Sequence, residues 1–140
     1  MKEALVRIRA AGARVIKNEV AYIHVGDRRL QAEVLRVRGA TADLQVFEDT
    51  RGIRVGMAVD LTGELLSATL GPGLLGQVYD GLQNPLDVLS AHHGNFLERG
   101  ARADALDADR LWHFEPAVAA GATIRAGETL GHVQEGHVRH

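Results

Sequence analysis

Apolar and polar residues alternate with period two along residues 4–69, and turn-forming residues interrupt the alternation at short intervals. The pattern predicts strands over residues 4–9, 14–17, 21–25, 30–37, 42–47, 58–61 and 65–69. Breaks fall at Ala11-Gly12, Lys17-Asn18, Gly26-Asp27, Arg38-Gly39, Arg51-Gly52, Val55-Gly56 and Thr62-Gly63. Short strands of this kind each bury one face, so they must close into a barrel or stack as a sandwich. A small closed barrel also removes the free edges that recruit other chains.

The alternation stops at residue 70. Residues 70–76 are a glycine-rich connector, and Asn84-Pro85 marks the start of a short helix over residues 86–92, which Gly94 ends. Strand-like segments return at 96–99, 111–115, 123–125 and 130–133. The chain thus divides into residues 1–69, a β-barrel; 70–94, a connector with a short helix; and 95–140, the start of a second β-rich module. The fold class is mainly β.

Composition changes this picture little. At 140 residues, with 46% apolar and 24% charged positions, the chain is long enough to bury a core. Aromatics make up 4%, so that core rests on Val, Leu, Ile and Ala. The absence of cysteine excludes disulfides, iron–sulfur clusters and thiolate zinc sites. Net charge is −2, which gives no general electrostatic case for nucleic acid. Of the 16 basic residues all but Lys2 and Lys17 are arginine, and many alternate with apolar residues, as in Val34-Leu-Arg-Val-Arg38. They read as the solvated face of strands; a basic RNA-binding barrel is the competing reading, disfavoured because few aromatics are present to stack bases. No apolar run approaches 18 residues and no signal-peptide core is present, so a soluble, cytoplasmic protein without direct membrane insertion is expected.

Two strings carry more than pattern: Gln45-Val-Phe-Glu-Asp-Thr-Arg-Gly52 and Leu70-Gly-Pro-Gly-Leu-Leu-Gly-Gln-Val-Tyr-Asp-Gly-Leu-Gln-Asn-Pro-Leu86. Together they resemble the N-terminal part of the catalytic A subunit of V/A-type rotary ATPases, whose members carry segments like QVYEDTSG and LGPGLLxxIYDGIQRPL. The matching positions are Gln45, Glu48, Thr50, Gly52, Gly71, Pro72, Gly73, Tyr79, Asp80, Gly81, Gln83 and Pro85, all with structural roles. Residues 121–135 resemble the opening of the bulge that such subunits insert after the barrel. Two departures stand out: Asn84 replaces an arginine, which puts any salt bridge at that position in doubt, and Ala11-Gly12-Ala13 replaces a Gly-Pro step.

The resemblance implies a six-stranded closed barrel, a partial bulge, and a non-catalytic assembly role. In such subunits the barrel forms a crown with B-type neighbours and the bulge faces the peripheral stalk. The family hydrolyses ATP with Mg²⁺ at a P-loop, and neither lysine here closes one. The expected relation is the front portion of a larger subunit, with ATP and Mg²⁺ belonging to the parent complex, which couples to proton or sodium transport. A stand-alone binding barrel is the alternative. Isolated, the chain is expected to be a monomer or to self-associate weakly.

Other candidate chemistry is thin. Gly71-Pro-Gly73-Leu-Leu-Gly76 satisfies the dinucleotide fingerprint but lacks a βαβ context. Glu48 and Asp49 are adjacent, so on a strand they diverge and cannot serve as a paired acid and base. His92-His93 and His132, His137 and His140 lack the companions of a zinc set. A lipoyl or biotinyl carrier needs a hairpin lysine, and none follows residue 17. Trp112 and Phe114 read as core anchors. No catalytic, cofactor-binding or metal residue is predicted, and this chain by itself is expected to need no cofactor.

Overall fold

The computed structural model describes residues 4–10, 12–94 and 96–140. Ala11, at the first predicted break, and Asn95, at the predicted module boundary, lie outside the described residues. The chain forms two compact units: Met1–Ser67 with Asn95–Ala101, and Ala68–Gly94 with Arg102–His140.

In the first unit five strands, β1 (Leu5–Arg9), β2 (Glu19–Val25), β3 (Arg28–Arg38), β4 (Thr41–Val46) and β5 (Val59–Leu65), form one antiparallel sheet in the order β1-β4-β3-β2-β5. Two-residue loops join β2 to β3 and β3 to β4. Gly26 and Gly39 take the first loop position with φ of 62° and 58°, a conformation that right-twisted hairpins require there. Ala21 and Ile23 of β2, Leu30, Ala32 and Val34 of β3, and Ala42, Leu44 and Val46 of β4 are buried on one face. Val6, Ile8, Val59 and Leu61 extend that face onto the outer strands.

Phase within β3 depends on a bulge. Val34 faces Leu44 on the core side, and strict alternation would then send Arg36 inward as well. The register shifts between Val34 and Arg36, so that Arg36 lies opposite Asp43 and Arg38 opposite Thr41. Leu35 is the extra residue, and the arginines return to the outer face.

Seven predicted strands become five. Residues 14–17 are not a strand, because the fully buried Glu19 side chain takes the backbone N–H of Ile16 at 2.6 Å. The segments 58–61 and 65–69 merge into β5 as far as Leu65, carried through the Thr62-Gly63 step by side-chain bonds. Thr62 Oγ1 donates to Val20 O at 2.8 Å, and Gly63 N–H donates to the second Glu19 oxygen at 2.8 Å. Among the described residues β1 and β5 each have one neighbour, so the pairings stop short of a six-stranded closed barrel.

In the second unit Pro85 precedes helix α1 (Leu86–His93), and Gly94, at φ 66°, ends it by donating to Ser90 O. This is the helix predicted at 86–92, one residue longer. Leu89 is its buried anchor. A small antiparallel sheet follows: β6 (Phe114–Pro116), β7 (Gly131–Glu135) and β8 (Val138–Arg139), in the order β6-β7-β8. Residues 123–125, predicted as a strand, are irregular, and β8 carries no period-two signal long enough to predict. Residues 96–99 are likewise no strand and belong to the first unit. Their polar groups bond the turn over residues 48–52.

Candidate functional site

The residues singled out by the two strings fall into two clusters, one in each unit. In the first unit Gln45 sits exposed on β4, opposite Leu5 and Glu33. The chain then turns through residues 48–52. Asp49 accepts from its own turn, from Arg51 N–H at 2.9 Å and Arg51 Nε at 2.6 Å. These bonds hold the Asp49 carboxyl below its usual range, the backbone N–H first and the guanidinium second. Thr50 O accepts from Ile53 N–H, and Gly52 adopts φ 88°.

Residues 96–101 lie against this turn as a strap. Glu48 accepts Gly100 N–H at 2.6 Å, and Arg99 Nη1 donates to Asp49 O at 3.1 Å and Arg51 O at 2.6 Å. Arg28 pairs with Glu98 at 2.9 Å. Gly100 has φ 77°, and a Cβ there would lie 3.2 Å from Arg29 O, so the close approach needs glycine. Glu48 and Asp49 thus perform separate backbone tasks and do not form an acid–base pair. Sequence reasoning missed the strap because its partners lie about fifty residues upstream; the run Glu98-Arg99-Gly100 is its only local trace.

In the second unit the loop Gly71-Pro72-Gly73 is half-buried. A Cβ at Gly71 would lie 3.0 Å from Leu106 Cδ1, and Gly73, at φ 105°, lies against Leu106 and Trp112. Gly73 N–H donates to Glu135 Oε1 at 3.0 Å, while His140 lies 2.8 Å from the other oxygen. The Glu135 carboxyl is lowered by the Gly73 bond above all; desolvation opposes this, and His140 adds to it. A carboxylate of the protein therefore occupies the amide that a dinucleotide phosphate would need. No helix opens directly after this loop, as the fingerprint requires.

The segment 79–85 folds back on itself. Tyr79 bridges to Pro85, and its hydroxyl donates to Ala105 O at 2.9 Å. Asp80 accepts from Leu82 N–H, Asn84 N–H and Asn84 Nδ2 at 2.8–2.9 Å. Burial pushes the Asp80 carboxyl up, but these donors outweigh it and leave it lowered. Gly81 lies in the tight loop between them, with open space around its Cα. Gln83, at φ 62°, brackets Thr69, accepting its N–H and donating to its O, both at 2.7 Å. Asn84, where the resembled family has arginine, is 3% exposed and accepts Ala103 N–H at 3.2 Å. Its neutral amide thus joins Asp80 to the following chain.

Among the described residues every buried side-chain nitrogen and oxygen has a partner, and no group of three or more His, Asp or Glu is placed to hold a metal. His92 and His93 meet edge to face on α1 at 6.5 Å between ring centroids. Trp112 is half-buried beneath the Arg110 guanidinium, 4.1 Å from its ring centroid, whereas Phe114 is largely exposed. Phe114, read as a core anchor, therefore lies at the surface. No described helix is long and apolar enough to cross a membrane.

A β-unit followed by a glycine-braced second β-module is an arrangement with named counterparts. Residues 7–63 match the beta-barrel domain of the ATP synthase alpha/beta family, and residues 103–140 match the ATPsynthase alpha/beta subunit barrel-sandwich domain. The chain belongs to the ATP synthase alpha/beta family. Within it, the chain is homologous to the N-terminal region of V-type ATP synthase alpha chains. It is 56% identical over 123 residues to V-type ATP synthase alpha chain 1 of Treponema pallidum (strain Nichols), covering 88% of this chain and 21% of the relative. The Treponema denticola V-type ATP synthase alpha chain is 54% identical over 126 residues, 90% of this chain and 21% of the relative. That of Borrelia hermsii is 50% identical over 136 residues, 97% and 23% respectively. The chain thus spans less than a quarter of the length of these relatives.

Proposed function

We propose that these 140 residues are a non-catalytic assembly module of the catalytic A subunit of a V/A-type rotary ATPase or ATP synthase. The carrying observation is where the motif residues direct their polar groups. Glu48, Asp80, Gln83 and Tyr79 bond the backbone of their own unit, and Gly71 and Gly73 permit close packing. Such residues brace a shape; they leave no poised nucleophile or base. In this reading the first unit completes a six-stranded closed barrel in the crown beside B-type subunits. Residues 102–140 begin a bulge directed at the peripheral stalk; 70–94, expected as a connector, pack with them, and 96–101, expected in the bulge, brace the first unit. The module itself needs no cofactor. ATP and Mg²⁺ act elsewhere in the parent complex, which is cytoplasmic, attached to the membrane through its other subunits, and coupled to ion transport. Interfaces between unlike subunits are heterologous, so the isolated chain remains mostly monomeric.

A chimera tests the proposal. The corresponding stretch of the Treponema pallidum alpha chain 1 is replaced by this chain, and the product is co-expressed with its B-type partner. Native mass spectrometry should find alternating hexamers. A chimera that folds and binds ATP but never enters a ring overturns the assembly role and favours a stand-alone β-barrel binding protein.

A further inference from the structure

The bulge in β3 gathers four arginines on one outer face of the first unit. Arg7 and Arg9 of β1 lie opposite Asp43 and Thr41 of β4, which lie opposite Arg36 and Arg38 of β3. Alternate residues of a strand share a face, so both rows of three stand on the same side of the sheet. Adjacent strands are about 4.8 Å apart, so the quartet fits a patch roughly 10 Å across and 7 Å along. Four guanidinium groups against Asp43 leave these two rows at +3, with Glu33 in the next row of the same face, on a chain whose net charge is −2. Without the bulge, Arg36 and Arg38 would share the core-facing phase of Val34 and the patch would be halved.

Asp43 illustrates what the patch binds. The Arg7 fork grips its carboxylate through Nε at 2.6 Å and Nη2 at 3.3 Å. That bond, against partial burial, holds the Asp43 carboxyl below its ordinary range, with Arg38 and Arg36 adding attraction. Among the described residues Arg9, Arg36 and Arg38 have no ion pair. Arginine favours planar carboxylates and phosphates alike. No aromatic residue shares these rows to stack a base.

We propose that the Arg7–Arg9–Arg36–Arg38 face docks a carboxylate-rich protein segment. The docking is independent of the assembly role, since it uses none of the residues of the two motif strings. The test is fluorescence anisotropy of the full chain with a labelled oligo-glutamate peptide and with a single-stranded oligonucleotide of equal charge. Salt is raised from about 20 mM to about 300 mM, which shortens the Debye length from about 20 Å to about 6 Å. The peptide should bind at low salt, more tightly than the oligonucleotide, and be released as salt rises. The triple variant Arg9→Gln/Arg36→Gln/Arg38→Gln should lose about tenfold in affinity, since these charges set encounter and complementarity. A charge-matched control, Arg54→Gln/Arg102→Gln/Arg125→Gln, should keep the parent affinity. If the triple variant does not fold, the single exposed variants Arg9→Gln and Arg38→Gln carry the test, each losing part of the binding. Equal losses in test and control variants, no binding of the peptide by the parent, or preference for the oligonucleotide would each overturn the proposal.

Discussion

Glu19→Ala should destabilise the first unit more than its place beside a turn suggests. The side chain is fully buried, and each carboxylate oxygen accepts one backbone N–H, Ile16 at 2.6 Å and Gly63 at 2.8 Å. These bonds tie the approach to β2 to the break within β5, 44 residues apart in the case of Gly63. Truncation orphans both donors. An unmade buried bond costs about 1–3 kcal/mol, and because Ile16 and Gly63 are themselves exposed residues the lower end applies to each. Losing the buried methylene adds about 0.8 kcal/mol. The sum is about 3 kcal/mol, which lowers the midpoint of a unit this size by roughly 12–24 °C. Glu19→Gln retains one acceptor and turns an NH₂ toward the other donor, so about half the loss is expected. Thermal unfolding followed by circular dichroism gives the magnitude, and amide exchange at Gly63 and Ile16 locates it. A Glu19→Ala variant within about 0.5 kcal/mol of the parent, the range of an ordinary surface change, would refute the reasoning.

Two further outcomes concern the second unit. A Cβ at Gly131 would overlap Glu115 O and the Phe114 ring, so Gly131→Ala must separate β6 from β7 at a cost of about 3 kcal/mol; unchanged exchange protection at Val133 would contradict this. The lowered Asp80 carboxyl contributes stability that is present above about pH 4, the unfolded carboxylate range, and is lost as pH falls through the folded value. Asp80→Asn should flatten that acid limb of a pH–unfolding profile, and an unaltered limb would place the effect elsewhere.

Features encoded within a few residues were legible in the sequence. Period-two alternation located β1 to β4 to within one or two residues. Gly26 and Gly39 marked their hairpins, and Pro85 and Gly94 bracketed α1, because φ preferences are local properties of proline and glycine. The tasks of the motif positions were not legible. That Asp80 holds Asn84, that Glu135 takes the Gly73 amide, and that Glu48 receives a strap from residues 96–101 depend on partners that alternation cannot name.

Tertiary structure alone decided which residue of β3 bulges. Leu30, Ala32 and Val34 assign even positions to the core and Leu35-Arg-Val-Arg38 assigns odd ones, so the sequence shows that the phase changes but not which residue is left unpaired. Pairing with β4 fixes the place: Val34 opposes Leu44 and Val37 opposes Ala42, Leu35 is left over between them, and burying Arg36 would cost far more than one unpaired bulge residue. The sequence by itself therefore determined that this chain is built of β-strands and where its hairpins turn. Which residue of β3 bulges, and how the strands and the strap are tied, was settled only when distant segments had to share one core.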